Sequence, residues 1–238
     1  MLPPTTEQVW GALHSAQELS GFVLVGGSAL ALRIEHRTSE DLDFVWLGQR
    51  LPSQRIELAL AAAEGKGLPS QRHDDPGAIA EFFDSGLELH DSQQDYLVNG
   101  VKVSFFTAPS GLVRVLSGDV GDGPRVATIG ELFATKCLVS AVRSRSRDWF
   151  DLYVLLRDHG FTLRDYLRVF EQAGDRYGAE IGLSRLCSGR PERADEGFQP
   201  LGSPSPSIEE LQAFFVAARD ALEVQLAAEK VPPEKAGS

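Results

Sequence analysis

The stretch VGGSALALRIEHRTSEDLDF, residues 25–44, combines a Gly-Gly-Ser turn with two aspartates that are separated by one residue. The apolar run FVLV, which ends at the two glycines, predicts a buried strand. Residues 28–36 predict a short helix with Ser28 as its N-cap. The alternating segment Asp41–Leu47 predicts a second strand. The stretch therefore predicts a strand, a tight turn, a helix and a strand in direct succession.

The two aspartates indicate a metal site. Successive side chains alternate faces on a strand, so Asp41 and Asp43 are predicted to share a face, about 6.6 Å apart at about 3.3 Å per residue. Carboxylate oxygens are ligands that Mg²⁺ prefers. Gly26 and Gly27 allow a ligand to approach the backbone closely, and a helix N-terminus at Ser28 suits a phosphate. Alone, each motif is more often structural; together they predict a nucleoside triphosphate site for nucleotidyl transfer.

The flanking sequence predicts an α/β domain. The segment DYLVNGVKVSFF, residues 95–106, places Asn-Gly between two alternating runs, which predicts a hairpin with a type I′ turn. Helices are predicted over 6–20 and 53–64, and another follows Asp75. Strands interleaved with helices favour an α/β sheet, so we expect a first domain over residues 1–126.

From residue 127 onward the pattern is helical. Thr128 and Glu131 form a capping box, the signature of a helix start. The segments predicted as helices are 128–143, 147–160, 162–174 and the one that follows a second capping box at Ser207 and Glu210. The Pro-, Gly- and Ser-rich segment 188–207 is predicted to be an irregular loop. We expect a helical domain over 127–230 and a disordered tail over 231–238.

The net charge of −11 argues against broad, non-specific binding to nucleic acid, because phosphate repulsion would oppose it. The segment 128–147 is a local exception, with four cations and one anion. Its charged residues are Glu131, Lys136, Arg143, Arg145 and Arg147. A cleft with one basic wall is therefore compatible with an acidic chain.

Several other classes of protein are disfavoured. The sequence lacks an apolar run of about 18 residues, as a membrane-spanning helix requires. It also begins without the pattern of a signal peptide, so a cytoplasmic location is expected. Cys137 and Cys187 lack the spacing of metal ligands and are predicted to be reduced thiols. The five histidines do not cluster with a serine or cysteine, so no hydrolase triad is predicted.

Three segments resemble known families. GGSALALRIEHRTSEDLDF, residues 26–44, resembles the Gly-Gly-Ser/Thr, spacer, Asp-x-Asp signature of the nucleotidyltransferase superfamily that includes DNA polymerase β. VATIGELFATKCLVSAVRSRSRDWFDLYVLL, residues 126–156, is similar to a block of the AbiEii/AbiGii toxin family, in which a helix with a lysine precedes an Arg-Asp-x-x-Asp-Leu helix. NGVKVSFF, residues 99–106, also resembles that family.

The resemblance implies a polymerase-β-like mixed sheet with flanking helices, followed by a helical C-terminal domain. It implies an enzyme of the EC 2.7.7 type, which transfers a nucleoside monophosphate from an NTP to an acceptor hydroxyl with Mg²⁺ or Mn²⁺ as cofactor. Several relatives are toxins of toxin–antitoxin or phage-exclusion systems, and some act on the acceptor end of tRNA. The implied partners are therefore an NTP, an RNA acceptor such as tRNA, and a cognate antitoxin encoded nearby.

The same resemblance assigns roles to the residues of the opening stretch. Gly26, Gly27 and Ser28 would hold the triphosphate. Asp41 and Asp43 would bind the metal ion that bridges the nucleotide phosphates and the attacking oxygen.

Four further residues receive roles from the second segment. Lys136 would face the triphosphate and stabilise charge on the departing pyrophosphate. Arg147, Asp148 and Asp151 would line the nucleotide-binding cleft, the two acids on one helical face. The alternative is that Lys136 is a solvated surface lysine and that the acids only pair with Arg145 or Arg147, which contributes about 0.3–0.5 kcal/mol.

One position departs from the superfamily pattern. Many relatives carry a third carboxylate on a later strand, but Ser104 stands there and cannot be an anionic ligand near neutral pH. Three interpretations remain open: the family dispenses with this acid, Asp91 or Asp95 replaces it, or the chain is a catalytically impaired nucleotide-binding module. The general base is unassigned. An acidic chain also suits a protein or small-molecule acceptor.

Overall fold

The computed structural model describes residues 1–84, 88–116, 118, 121–175, 177–198, 200–201 and 205–230. Contacts divide these residues into two compact units. The first comprises the described residues of Met1–Lys136 and Phe198–Ser203, and the second those of 137–197 and 204–230. The predicted tail, 231–238, lies outside the described residues.

The first unit is built on a mixed sheet, which its described residues form with six strands. The strands are β1 Phe22–Val25, β2 Leu42–Trp46, β3 Ser70–Arg72, β4 Gln93–Val98, β5 Val101–Thr107 and β6 Arg125–Val126. Their order across the sheet is β3-β4-β5-β2-β1-β6. β2 runs parallel to β5 and β1 runs parallel to β6, whereas the other neighbours are antiparallel. The mixed α/β fold is as predicted.

Helices flank this sheet. They are α1 Pro4–His14, α2 Gly26–Ile34, α3 Ser53–Gly65, α4 Pro76–Asp84, α5 Leu89–Ser92, α6 Ser110–Val115 and α7 Ile129–Ser140, with a short 3₁₀ turn at Gln17–Leu19. α1 packs against α3 and β5, and α2 packs against β1 and β2. The helix predicted over 6–20 is thus two elements, α1 and the 3₁₀ turn.

Alternation along β2 sets the two faces of the sheet. Leu42 and Phe44 are fully buried, as predicted. The Phe44 ring stacks on Phe105 at 5.2 Å between centroids, and Phe22 meets Phe105 edge-on at 5.5 Å. Each such buried side chain contributes about 1.5–3 kcal/mol. Because this face is apolar and packed, Asp43 necessarily projects from the other face.

The predicted hairpin joins β4 to β5. Val98 pairs with Val101, and the two turn residues Asn99 and Gly100 have φ of 48° and 81°. Positive φ at both positions defines the type I′ turn. The tight turn fixes the register between the two strands, so that Asp95 pairs with Ser104.

The second unit is helical. Its helices are α8 Ser146–Asp158, α9 Leu163–Ala173, α10 Gly178–Ser188 and α11 Ile208–Lys230. α11 packs against α8, α9 and α10. The Ser207–Glu210 capping box begins α11 as predicted, with Ser207 N–H donating to Glu210 Oε2 at 2.7 Å. Cys137 and Cys187 are both free thiols, as predicted.

Part of the predicted irregular loop returns to the first unit. Pro200 forms an isolated antiparallel bridge with Arg37, and Leu201 N–H donates to the carbonyl of His36 at 3.1 Å. Residues 200–201 therefore act as a strap beside the segment that leads into β2. Among the helices that the structure describes, each is either too short or too polar to cross a bilayer.

The division between the units falls inside α7, after Lys136, whereas the predicted helical domain begins at residue 127. The first turn of α7 is tied to the sheet by Glu131, which accepts hydrogen bonds from Arg125 Nη1 at 2.7 Å and Thr128 N–H at 2.7 Å. Thr128 caps the helix in return, as predicted. Burial by itself would raise the pKa of Glu131, but these bonds outweigh it and lower the pKa from 4.5 to about 2.

Glu131→Gln is expected to lower the free energy of unfolding at pH 7 by about 2–3 kcal/mol, because it leaves the Arg125 guanidinium without its charged partner. The folded-state pKa lies below the ordinary value, so the carboxylate stabilises the fold fully above pH 4.5 and this contribution is lost as the pH falls to about 2. Urea unfolding at pH 7, 4 and 2.5 measures the difference, with Glu7→Gln at an exposed site of α1 as control. A difference that stayed constant with pH would contradict the prediction.

Candidate active site

The glycine turn begins helix α2 directly. The helix starts at Gly26, with Val25 as its N-cap residue, so the prediction that Ser28 is the N-cap is wrong. Ser28 instead lies in the first turn, where its hydroxyl donates to the main-chain carbonyl of Asp41. Valine has no polar side chain, so it cannot cap the first N–H groups of α2. These groups and the positive end of the helix dipole suit an anion.

Gly26 is required by the position of Asp43. Gly26 has a φ of 74°, and a Cβ placed on it would lie 2.5 Å from Asp43 Oδ2. Val25 and Asp43 are direct partners in the antiparallel pairing of β1 with β2, which brings the carboxylate over the turn. A carboxylate thus lies against the first residue of α2, where anions are favoured.

The two aspartates occupy different parts of the backbone. Asp43 is the second residue of β2, whereas Asp41 lies immediately before the strand. Both side chains are half-buried. The hydrogen bond from Ser28 to the Asp41 carbonyl connects the first turn of α2 to the start of β2. The glycine turn and the aspartate pair are therefore held at a fixed separation.

Gly27 reveals a residue that sequence reasoning missed. A Cβ on Gly27 would lie 2.5 Å from Arg37 Nη2 and 2.6 Å from Ser39 Oγ. Arg37 is only 5% exposed, and its Nη1 donates to the Thr38 carbonyl at 3.0 Å. The guanidinium thus lies beside the glycine turn, where it adds positive charge. In the sequence, Arg37 is visible only as an arginine in the polar segment between the glycine turn and the aspartates. Nothing in that pattern predicts that its side chain is buried beside the turn.

The carboxylates of Asp41 and Asp43 supply some, but not all, of the oxygen ligands that a divalent cation requires. Two carboxylates are present, and among the described residues no group of three or more His, Cys, Asp or Glu side chains could hold a metal ion. Mg²⁺ commonly binds to one or two carboxylates and takes its other oxygens from water and substrate phosphates. Asp41 and Asp43 are suited to that mode, with the nucleotide completing the coordination.

The position of the missing third carboxylate is occupied by a buried hydroxyl. Ser104 on β5 is 8% exposed and pairs with Asp43 on β2. Of the two acids that could replace a carboxylate there, Asp95 on β4 pairs directly with Ser104. Asp91 lies on α5, with its side chain 48% exposed and 3.4 Å from Arg50 Nη1. Asp95 therefore belongs to the same row as Ser104, and Asp91 does not.

Lys136 lies near the end of the part of α7 that belongs to the first unit, and it is 4% exposed. The alternative that it is a solvated surface lysine is wrong. A buried ammonium requires compensating charge or hydrogen bonds, so Lys136 does not serve as a solvated surface cation.

The second unit contains the remaining predicted residues on α8. Asp148 and Asp151 are fully buried, and Asp148 Oδ2 accepts a hydrogen bond from Arg143 Nε at 2.8 Å. Arg145 and Arg147 pair elsewhere, with Glu192 and Glu196 respectively. The alternative of a weak surface pairing between these acids and Arg145 or Arg147 is therefore wrong.

The basic segment 128–147 is compensated within the second unit. Arg143 pairs with Asp148 at 2.8 Å, Arg145 with Glu192 at 2.5 Å and Arg147 with Glu196 at 3.7 Å. The excess positive charge seen in the sequence is thus matched by acids from outside the segment, and the segment does not form an isolated cationic patch.

Several known proteins are similar to this chain. A protein of Aquifex aeolicus (strain VF5), aq_aa25, is 24% identical over 194 residues, which cover 82% of this chain and 84% of that protein. The crystal structure of JHP933 from Helicobacter pylori superposes with a TM-score of 0.49 at 19% identity, over 96% of this chain and 97% of that one. The Megavirus polyadenylate synthase gives a TM-score of 0.41 at 13% identity, over 65% and 31%.

A family model described as nucleotidyl transferase AbiEii toxin, type IV TA system, matches residues 10–235. The match includes the glycine turn, the aspartate pair and α7 and α8, and it extends well beyond the three segments that carried the resemblance. The chain belongs to the AbiEii nucleotidyltransferase toxin family.

Proposed function

We propose that this protein transfers a nucleoside monophosphate from an NTP to an acceptor hydroxyl and releases pyrophosphate. The observation that carries the proposal is the placement of the Asp43 carboxylate against Gly26 at the start of α2. That placement puts a group suited to cations beside N–H groups suited to phosphates, as a triphosphate with its counter-ion requires.

The proposed roles in the first unit follow from the chemistry of each group. The main-chain N–H groups of Gly26, Gly27 and Ser28 hold the triphosphate. The Ser28 hydroxyl does not, because it donates a hydrogen bond to the main-chain carbonyl of Asp41. Asp41 and Asp43 hold Mg²⁺ or Mn²⁺. A cation bound there neutralises phosphate charge and favours attack on the α-phosphorus.

Two buried cations supplement this site. Lys136 is proposed to stabilise the charge that develops on the departing pyrophosphate. Arg37, beside Gly27, is proposed to strengthen the attraction of the glycine turn for phosphate. In the second unit, Arg147, Asp148 and Asp151 are proposed to bind the nucleotide, a role supported by the match of their segment to the family.

The proposed acceptor is RNA, most specifically the acceptor end of tRNA, and the proposed role is that of the toxin of a toxin–antitoxin or phage-exclusion system with a cognate antitoxin. Membership of a type IV toxin–antitoxin family supports the toxin role. Since NTPs and tRNA are cytoplasmic molecules, we place the activity in the cytoplasm.

A second acceptor class is a protein hydroxyl or a small molecule. The pairing of Arg143, Arg145 and Arg147 with acids favours it, as does the net charge of −11, because a large RNA binds best to an uncompensated basic surface.

Incubation with each of the four α-labelled NTPs, Mg²⁺ and total tRNA tests the proposal. We expect one NTP to label RNA, and EDTA to abolish the label. The same reaction with cell lysate separates the acceptor classes, because label on protein or small solutes resists ribonuclease. Failure of every NTP to label any acceptor would contradict nucleotidyl transfer, and tight binding of an NTP under those conditions would indicate a nucleotide-binding module.

A further inference from the structure

Three polar residues form one row across the sheet. Asp43 on β2 pairs with Ser104 on β5, and Ser104 pairs with Asp95 on β4. Directly paired residues project from the same face, and adjacent strands lie about 4.8 Å apart. The backbone of Asp95 is therefore about 5 Å from that of Ser104 and about 10 Å from that of Asp43, and the side chains project from the face opposite the apolar core.

The pair formed by Asp95 and Ser104 is of the close type. Asp95 N–H donates to Asp74 Oδ1 at 2.8 Å, and the Asp95 carbonyl accepts from His73 N–H at 2.8 Å. Both main-chain groups of Asp95 are thus directed away from β5. This makes the site a non-hydrogen-bonded pair, in which opposite Cα atoms are about 4.5 Å apart and the side chains are closest. The side chains of Ser104 and Asp95 are consequently direct neighbours, although no hydrogen bond joins the Ser104 hydroxyl to Asp95 Oδ1 in the structure.

Asp95 carries a buried oxygen that the fold does not use. The residue is 5% exposed, and its Oδ2 accepts a hydrogen bond from Gln93 Nε2 at 3.0 Å. Its Oδ1 is also buried and has no hydrogen-bond partner among the described residues. Burial of an unpartnered carboxylate oxygen opposes folding, and an asparagine would accept the bond from Gln93 equally well. The hydrogen bonds that the structure describes for the Asp95 side chain therefore do not require a carboxylate.

We infer that Asp95, acting through Ser104, supplies the proton acceptor for the transfer proposed above, on which this inference depends. The acceptor oxygen bonds to the α-phosphorus as the bond to the pyrophosphate oxygen breaks, and pyrophosphate leaves with that electron pair. The proton of the acceptor hydroxyl passes to Ser104 Oγ, and the original proton of the Ser104 hydroxyl passes to Asp95 Oδ1. The proton on Asp95 later passes to solvent. Ser104 is the catalytic residue of this relay, and Asp95 is its positioning residue.

The strand register favours a role of Asp95 through Ser104 over a direct role at the metal. Oxygens that share one Mg²⁺ ion lie about 3 Å apart, because each is about 2.1 Å from the ion. The backbone of Asp95 is two strands, about 10 Å, from that of Asp43, so Asp95 is farther from that coordination sphere than Ser104 is. The hydroxyl of Ser104, one strand from each acid, bridges the gap.

Steady-state kinetics on the full chain tests the relay. Asp95→Asn and Ser104→Ala are each expected to lower kcat by about 100-fold with little change in KM for the NTP, since a positioned base contributes about 10²–10⁴-fold. The double variant is expected to be no slower than the slower single variant. Ser104→Asp in the Asp95→Asn background is expected to recover at least about tenfold, because it places a carboxylate on the strand next to Asp43.

Asp91→Asn is the matched control and is expected to keep wild-type activity. The melting temperature of Asp95→Asn is expected to equal or exceed that of the wild type, which separates the relay from a structural role. Wild-type kcat in Asp95→Asn, or no recovery by Ser104→Asp, would overturn the relay while leaving the transferase proposal intact. A wild-type protein that labels no acceptor would overturn both.

Discussion

Asp43→Asn is expected to lower the rate of nucleotidyl transfer by about 100-fold or more, the loss typical of removing a charged group that acts on the transition state. Asparagine keeps the shape of the side chain but cannot neutralise a divalent cation. Removal of one of two neighbouring carboxylates relieves repulsion, which offsets the lost attraction between Asp43 and the N-terminus of α2. The melting temperature is therefore expected to change by less than about 3 °C.

Label transfer and differential scanning calorimetry on the same preparations measure the two effects of Asp43→Asn. Asp122→Asn, at an exposed position of the first unit, is the matched control and is expected to behave as wild type in both. If Asp41→Asn combined with Asp43→Asn left transfer at the wild-type rate, the metal would have to bind elsewhere.

Gly26→Ala is expected to damage the same site through the backbone. A φ of 74° is strained for alanine, at a cost of about 1 kcal/mol, and the new Cβ would lie 2.5 Å from Asp43 Oδ2. The carboxylate must move away from the turn. We expect a loss of about 1–3 kcal/mol in stability and of about 10- to 100-fold in transfer, because small displacements of positioned groups are that costly.

Gly67→Ala separates the two causes. Gly67 has a φ of 83°, but a Cβ there would meet no atom within 4 Å. It should therefore show the cost of backbone strain alone and retain full activity. Chemical denaturation and label transfer on both variants provide the comparison. If Gly26→Ala and Gly67→Ala showed the same loss of stability and the same rate of label transfer, the contact between residue 26 and Asp43 would not contribute to function.

The sequence predicted those features that depend on near neighbours. Alternation along β2 placed Leu42 and Phe44 in the core because a strand has a strict period of two. Asn99-Gly100 specified its turn because both residues tolerate positive φ. The start of α2 was misjudged, since the rule that serine caps helices ignores a glycine turn that enters the helix directly. The Ser28 hydroxyl instead donates a hydrogen bond to the main-chain carbonyl of Asp41, thirteen residues away in the sequence.

Features set by distant contacts could not be predicted. The helix Gly178–Ser188 was not among the predicted helices. Gly182 is required there, since a Cβ would lie 2.0 Å from the Tyr166 hydroxyl and 2.4 Å from Ser140 Oγ. Likewise, the sequence named Asp95 only as one of two candidates. Its selection over Asp91 needs the strand register, which no local pattern contains.

The strap at residues 200–201 also has a consequence for biosynthesis. The ribosome completes β1, α2 and β2 long before it makes the residues that pair with His36 and Arg37. Helices α8 to α10 must emerge in between. The nascent N-terminal portion therefore lacks its contacts with residues 200–201 throughout most of translation. A shortened chain that stops after Lys136 would never form these contacts. For a family of toxins, such late closure delays the finished fold until nearly the whole polypeptide has left the ribosome.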